Sequence, residues 1–188
     1  MTRRSLVIAL AGSLALAGSA VWGQQAQPAP PPTIVVETVK GVFEIETFND
    51  CPLSVGRILE LVRSNFYRGN RFHWVQPGVV QFGDPLTRDM TKQNDWGRGG
   101  SGLRGAARPL GVVETSKRSF DRGIVGFAYL PGRKPDTADS QLFILKIANP
   151  AINGKYAVIG RVRVGMDVVE KIERADMIKR VSIKGATP

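Results

Sequence analysis

The chain has 188 residues and a formal net charge of +10, with hydrophobic and charged fractions that are ordinary for a globular protein. Its single cysteine, Cys51, excludes an intramolecular disulfide, and one cysteine with one histidine excludes a zinc site built from these residues. The basic residues are scattered and not interleaved with aromatic residues, so we expect a solvated basic surface and no nucleic-acid partner.

The first 23 residues predict a signal peptide. Arg3 and Arg4 form a short positive region, residues 6–20 form an apolar stretch, and Gly23 offers a small residue for cleavage. The apolar stretch is short for a membrane-spanning helix. We therefore expect a periplasmic or secreted protein with no stable membrane insertion after signal removal; an uncleaved anchor is the alternative.

Residues 24–32 (QQAQPAPPP) predict a linker, because dense proline favours an extended polyproline II spacer. One domain follows over residues 33–188. Apolar alternation predicts two strands, 33–39 and 42–47, joined by a tight hairpin at Lys40-Gly41. Further strands are predicted at residues 71–76, 79–82, 124–130, 141–147, 156–162 and 178–184.

Two helices are predicted from apolar residues at helical spacing. Val55, Ile58 and Val62 share one face of the first helix, and Met166 and Val169 share one face of the second. Eight strands with two helices suit a closed barrel capped at its ends, because closure removes exposed strand edges. Periodicity alone leaves a sandwich open as the alternative.

Residues 66–84 read FYRGNRFHWVQPGVVQFGD. This segment closely resembles the signature of cyclophilin-type peptidyl-prolyl cis-trans isomerases, roughly F-Y-x-G-x-x-F-H-R-V-x-P-G-F-x-x-Q-G-G-D. Further blocks resemble the family in the same order, at residues 97–105, 123–128, 137–144 and 145–172. The resemblance implies a mainly β protein, a closed eight-stranded antiparallel cyclophilin-like barrel capped by two α-helices. It also implies a monomeric enzyme with no cofactor and no metal, whose partners are proline-containing polypeptides.

The glycine-rich block also matches another pattern. Gly97, Gly99 and Gly102 have the spacing of a dinucleotide-binding turn, which requires a preceding strand and a helix that opens at its end. Residues 103–109 are a poor helix start, so a surface loop shaped by glycine is favoured. A phosphate-binding turn that uses Arg98 and Arg104 is the alternative.

The family signature carries an arginine where this chain has Trp74. In the family, that arginine donates to the prolyl nitrogen as the bond twists, whereas an indole offers one neutral N–H donor and no fork. The segment that follows is one residue shorter than the signature. The family's pocket phenylalanine is therefore missing, and Val79 or Val80 stands nearest to its position.

The resemblance assigns Trp74 and Gln81 to catalytic positions. It assigns peptide binding to five residues: His73, Phe127, Gln141, Phe143 and Tyr156. We interpret the histidine as a packing element of the motif more than as a proton carrier. The sequence therefore predicts a peptidyl-prolyl isomerase that assists protein folding with reduced activity. The alternative is a cyclophilin-like module that binds proline segments, or acts as a chaperone, without turnover.

Overall fold

A computed structural model describes residues 30–129 and 132–186. The predicted signal peptide lies outside the described residues, as does the predicted linker up to residue 29. The strands and helices are β1 (Thr33–Thr38), β2 (Val42–Thr47), α1 (Pro52–Arg63), β3 (Trp74–Gln76), β4 (Val79–Phe82), β5 (Ile124–Phe127), β6 (Leu142–Leu145), β7 (Val158–Val164), α2 (Met166–Glu170) and β8 (Ile178–Ile183). Short 3₁₀ turns lie at Pro85–Arg88, Met90–Lys92, Leu103–Gly105, Pro135–Thr137 and Pro150–Ile152.

The eight strands form one antiparallel sheet in the order β3-β4-β6-β5-β7-β2-β1-β8, so β3 and β8 are its edges. The mainly β content and the two helices agree with the prediction, but the closed barrel is wrong, because the sheet is an open half-barrel. The strand predicted from residue 71 begins only at Trp74 and is three residues long. Before it, residues 69–73 meet residues 175–178 through irregular hydrogen bonds and a single bridge, Arg71 to Met177. Without an extended ladder there, the two edges do not close the sheet.

The predicted hairpin joins β1 to β2. Glu37 pairs with Val42, and the N–H of Thr38 donates to the carbonyl of Gly41 at 2.8 Å. Gly41 has φ +140°, a conformation that residues with a Cβ rarely adopt. The hairpin prediction is therefore confirmed, and its turn depends on glycine.

Helix α1 buries the apolar face that its spacing predicts, and Cys51 is buried immediately before it. The N–H groups of Leu53 and Ser54 donate to the carboxylate of Glu114 at 3.1 and 2.6 Å. This carboxylate satisfies two unpaired donors and compensates the positive end of the helix dipole. No helix in the described part of the chain has the length and apolar character that crossing a bilayer requires.

Strand β5 separates two apolar clusters. Val125 and Phe127 face the main core, which lies between the sheet and the helices, whereas Ile124 and Ala128 face a smaller cluster on the other side. The alternation follows from the period of two along a strand. The smaller cluster contains Phe143 and forms the base of an open groove.

Candidate active site

A groove of about 860 Å³ opens on the outer side of β3, β4 and β6. Five of the seven predicted site residues line it: His73, Trp74, Gln81, Phe143 and Tyr156. The sequence blocks at 66–84, 137–144 and 145–172 therefore meet at one surface. The groove has the size and the mixture of apolar walls and few polar groups that a peptide-sized ligand requires.

The floor of the groove is aromatic. The rings of Phe143 and Tyr156 meet edge to face with centroids 5.1 Å apart, and Tyr129 stacks on Tyr156 at 4.8 Å. Gly126 lies directly beneath Phe143, where an added Cβ would come within 2.1 Å of Cζ of the phenylalanine ring. Glycine at this position lets the ring lie flat against the sheet. The result is a slot that suits a small apolar ring.

Tyr156 keeps its proton under physiological conditions. Burial and, after it, the neighbouring Tyr129 together raise the pKa of its phenol to about 12. A neutral phenol at the groove wall is both a donor and an acceptor of hydrogen bonds. Tyr129 was not among the residues predicted from the sequence, although it directly follows the block at 123–128.

Gln81 and Gln141 lie side by side, but their roles differ. Nε2 of Gln81 donates to Oε1 of Gln141 at 2.8 Å. Nε2 of Gln141 donates to the carbonyls of Gly97 and Gly99 at 3.1 and 2.8 Å. Gln141 is buried and does not line the groove, so the expectation of direct peptide binding does not match its position. Its amide is used to hold the glycine-rich loop and to orient Gln81.

Phe127 is also positioned differently from the expectation. Its side chain is 2% exposed and belongs to the main core rather than to the groove. The reason is the strand alternation, because Gly126 and Ala128 occupy the groove side of β5 while Phe127 points inward. Motif matching could not determine which side of β5 the residue faces.

Trp74 lies at the rim of the groove on the edge strand β3, with 48% of its surface exposed. Its backbone position pairs with that of Gln81 across the β3–β4 ladder. Cross-strand partners project from the same face of a sheet, so the two side chains lie next to each other. Position 74 is therefore adjacent to the slot, where a donor could reach a bound peptide.

His73 is buried beneath the rim. The pKa of its imidazole is lowered to about 4, mainly by burial. The positive charge of Arg174 contributes to this lowering, and the nearby carboxylate of Asp84 opposes it. Nδ1 is buried with no hydrogen-bond partner in the described part of the structure. The imidazole is neutral at pH 7, and a group with this pKa carries no proton for catalysis there.

When the pH is lowered from 7 to 5, we expect the titration of His73 alone to reduce the free energy of unfolding by about 2 kcal/mol. The folded pKa is about 4 and the ordinary value is 6.5, so the unfolded chain takes up the proton first as the pH falls. The stabilisation is fully present above pH 6.5 and is lost as the pH falls toward 4. Urea unfolding at both pH values measures the loss, and His73→Gln should lack this component. NMR titration of the single histidine checks the cause, and a folded-state pKa near 6.5 would contradict it.

A glycine-rich loop forms the second wall of the groove. Asp84 accepts hydrogen bonds from the N–H groups of Gly97 and Gly99, and a Cβ on Gly99 would come within 2.2 Å of Oδ1 of Asp84. Trp96 and Arg98 of this loop line the groove. Arg174 stacks on Trp96, with its guanidinium carbon 4.9 Å from the ring centroid. Sequence reasoning did not include these wall residues in the site, although Arg98 stood in the glycine-rich block.

A buried ion pair ties this loop to helix α1. Nη2 of Arg57 contacts Oδ1 of Asp139 at 2.9 Å, and both side chains are nearly inaccessible to solvent. The other oxygen of Asp139 accepts from the N–H groups of Ser101 and Arg108, both at 2.7 Å. Asp139 is two residues before Gln141, so this pair and the glutamine amide hold the same loop from two sides.

Comparison with known proteins agrees with this geometry. Residues 33–187 match the family model described as "Cyclophilin type peptidyl-prolyl cis-trans isomerase/CLD". The chain is 37% identical over 180 residues to a "Probable peptidyl-prolyl cis-trans isomerase" of Brucella abortus, covering 94% of this chain and 89% of the relative. It is 31% identical over 145 residues to a "Peptidyl-prolyl cis-trans isomerase" of Acinetobacter baylyi, covering 74% and 70%.

Two solved structures are also similar to this chain. A cyclophilin type peptidyl-prolyl cis-trans isomerase of Cryptosporidium parvum superposes with a TM-score of 0.66 at 26% identity, covering 84% of this chain and 99% of that one. The same protein in the presence of the dipeptide Ala-Pro superposes with a TM-score of 0.66 at 25% identity, covering 82% and 99%.

Proposed function

Because the chain belongs to the cyclophilin-type peptidyl-prolyl cis-trans isomerases, we propose that it isomerises X-Pro bonds of exported polypeptides with an activity reduced by Trp74. The observation that carries the proposal is the aromatic slot of Phe143 and Tyr156 beside Gln81, with a tryptophan in place of a cationic donor at its rim. The slot supports binding of a proline ring. The tryptophan accounts for the reduced rate.

The reaction needs little from the protein. Rotation about an amide bond loses resonance and meets a barrier of roughly 18–20 kcal/mol. An enzyme lowers the barrier by holding the proline ring while the bond twists, and by stabilising the prolyl nitrogen when its lone pair localises. Neither step requires a nucleophile, a metal or a cofactor.

Each predicted residue has a defined part in this proposal. Phe143 and Tyr156 hold the proline ring, and Gln81 offers its side-chain amide to the peptide backbone next to Trp74. Gln141 and His73 act through other residues, the first by holding Gln81 and the loop, the second by packing under the rim. Phe127 supports the fold from the core.

Substrates of the proposed enzyme are proline-containing polypeptides outside the cytoplasm. The apolar stretch after Arg3 and Arg4 supports export, and the proline-rich residues 24–32 would tether the domain. The dipeptide Ala-Pro in the Cryptosporidium parvum structure makes this dipeptide a suitable minimal probe. Cell fractionation checks the export proposal, which fails if the protein is recovered from the cytoplasm. N-terminal sequencing then distinguishes a removed signal peptide from an uncleaved anchor, in which residues 1–23 are retained.

We expect weak but measurable acceleration of cis-trans exchange in a blocked Ala-Pro peptide, followed by NMR exchange spectroscopy. Phe143→Leu should lower kcat/KM at least tenfold, because a branched aliphatic chain of similar volume fills the core but no longer presents a flat ring. Volume-conserving replacements of this kind usually cost less than about 1.5 kcal/mol in stability. The loss would therefore report on the slot rather than on unfolding.

Phe48→Leu is the matched control. Phe48 packs on the same small cluster but does not line the groove, so its replacement should leave the rate within about twofold. Exchange at the uncatalysed rate, at high protein concentration, would count against the enzyme. If tryptophan fluorescence still changed on peptide addition, the non-catalytic binding module would be favoured instead.

A further inference from the structure

The groove contains one charged side chain. Among the lining residues that the structure describes, Arg98 alone carries a formal charge at neutral pH, and the rest are apolar or neutral polar. The side chain of Arg98 is 75% exposed. Its nearest carboxylate is Asp95, with Nη1 and Oδ1 3.9 Å apart in an exposed i,i+3 pair. Exposed pairs of this kind contribute about 0–1 kcal/mol, so the guanidinium remains available to a ligand.

The backbone on both sides of Arg98 is held firmly. Gly97 adopts φ +90°, and its carbonyl and that of Gly99 accept from the buried amide of Gln141. The N–H groups of the same two glycines donate to Asp84. Arg98 therefore extends from a fixed loop, so its charge has a defined position along the groove.

A second cation stands at the groove wall. Arg174 stacks on the lining residue Trp96, with its guanidinium carbon 4.9 Å from the ring centroid, and among the described residues it has no carboxylate within 4.0 Å. Two acids lie near this wall. Asp95 makes the loose pair with Arg98, and the buried Asp84 accepts from the N–H groups of Gly97 and Gly99. Arg98 is therefore the charged side chain that a peptide in the groove would meet.

We propose that the groove selects proline segments that carry an aspartate or glutamate within two residues of the proline, and that Arg98 is the residue that binds this carboxylate. The proposal rests on the isomerase function above and names its substrate class. A guanidinium and a carboxylate form charge-assisted, bidentate hydrogen bonds, and the basic net charge of the chain favours the approach of acidic peptides.

The size of the preference for acidic peptides follows from the solvent exposure of Arg98. A partly solvated arginine–carboxylate pair should favour an acidic peptide roughly three- to tenfold over its neutral equivalent. A basic peptide should be disfavoured by a similar factor. Both preferences should weaken as the ionic strength rises from about 0.01 to 1 M, because the Debye length falls from roughly 30 to 3 Å.

The test compares blocked peptides that differ in one residue: Glu-Ala-Pro-Ala, Gln-Ala-Pro-Ala and Lys-Ala-Pro-Ala, and the set with the variable residue after proline. In the parent protein, kcat/KM at low salt should decrease in the order Glu, Gln, Lys by three- to tenfold per step. Arg98→Gln should bring the Glu and Gln peptides within twofold of each other. Arg98→Glu should reverse the order.

Arg180→Gln is the matched control for net charge. Arg180 is also exposed and its carboxylate partner, Glu37, is also 3.9 Å away, but it lies on β8, outside the groove. This variant should keep the preference of the parent. If it lost the preference as far as Arg98→Gln does, general surface charge would replace Arg98 as the cause and overturn the assignment.

Other outcomes separate this inference from the proposed function. Equal catalysis of all three peptides at low salt overturns the selectivity and leaves the isomerase intact. An equal loss of rate for all three peptides in Arg98→Gln would also overturn it, since Arg98 would then act on the reaction and not on selection. If no peptide is turned over, the isomerase proposal fails. Peptide affinities from tryptophan fluorescence then test the same order, Glu above Gln above Lys.

Discussion

Trp74→Arg should raise kcat/KM for Ala-Pro peptides at least tenfold. An arginine at this position would lie beside Gln81 at the rim of the slot, within the β3–β4 ladder that pairs the two residues. A preorganised donor aimed at developing charge typically contributes about 2.7–4 kcal/mol, or roughly a hundred- to thousandfold in rate. The like charge of Arg98, which lines the same groove, should reduce this gain.

Two further variants distinguish the reasons for the gain. Trp74→Phe removes the N–H donor but keeps an aromatic ring, and should not raise the rate. Trp74→Lys adds charge without the planar fork, so its gain should be smaller than that of arginine. The same NMR exchange assay measures all three, with KM and kcat separated, because a donor used only in the twisted state changes kcat.

An inactive Trp74→Arg variant would contradict the assignment of the reduced activity to tryptophan. In that case the shortened segment would be responsible, since Val79 lines the groove where the family has a phenylalanine. Restoring the missing residue in the segment at 77–81, together with the arginine, would then be the change that recovers activity.

Asp139→Ala should destabilise the protein by about 3–5 kcal/mol, the usual cost of removing one partner of a buried ion pair. Arg57 is 6% exposed and would keep only the more exposed carboxylate of Glu60, 2.9 Å from its Nη1, while the N–H groups of Ser101 and Arg108 would lose their acceptor. Urea unfolding measures the change. Because Asp139 anchors the loop that carries Arg98, the acidic-peptide preference should weaken in the same variant.

Asp50→Ala is the matched comparison for this prediction. Asp50 accepts two hydrogen bonds from the guanidinium of Arg118, at 2.8 and 2.9 Å, but this pair lies at the surface. Exposed pairs contribute about 0–1 kcal/mol, so this variant should lose far less stability. Equal losses in Asp50→Ala and Asp139→Ala would mean that burial does not set the cost. Replacing Arg57 and Asp139 together by Met and Leu should recover only the part of the loss that comes from the buried guanidinium, because the N–H groups of Ser101 and Arg108 still lack their acceptor.

Local sequence patterns predicted most of the secondary structure. The period-two alternation in residues 33–47 predicted β1, β2 and their glycine turn, and the helical spacing of Val55, Ile58 and Val62 predicted α1. These elements depend on neighbours within a few residues, so their signal lies in short segments. The family motifs likewise located Trp74, Phe143 and Tyr156, which the fold brings to one groove.

The patterns that failed depend on contacts between distant segments. The closed barrel was wrong because its closure required an extended strand from residue 71, where the chain instead makes irregular bonds to residues 175–178. Phe127 faces the core because β5 lies between two clusters, which its own sequence does not reveal. The side-chain amide of Gln141 donates to the carbonyl of Gly99, which lies 42 residues away in the chain.

The amino-acid sequence by itself determined the family, the order of the strands and helices along the chain and the presence of Trp74 at the arginine position of the motif. Only the tertiary structure decided which side chains share the groove, which ones bond to other parts of the protein instead, and that Arg98 is the charged residue among the described groove lining. The physical reason is the distance along the chain over which each property is determined. Backbone conformation follows from nearby residues, whereas burial and electrostatic field are sums over every segment that packs against a site.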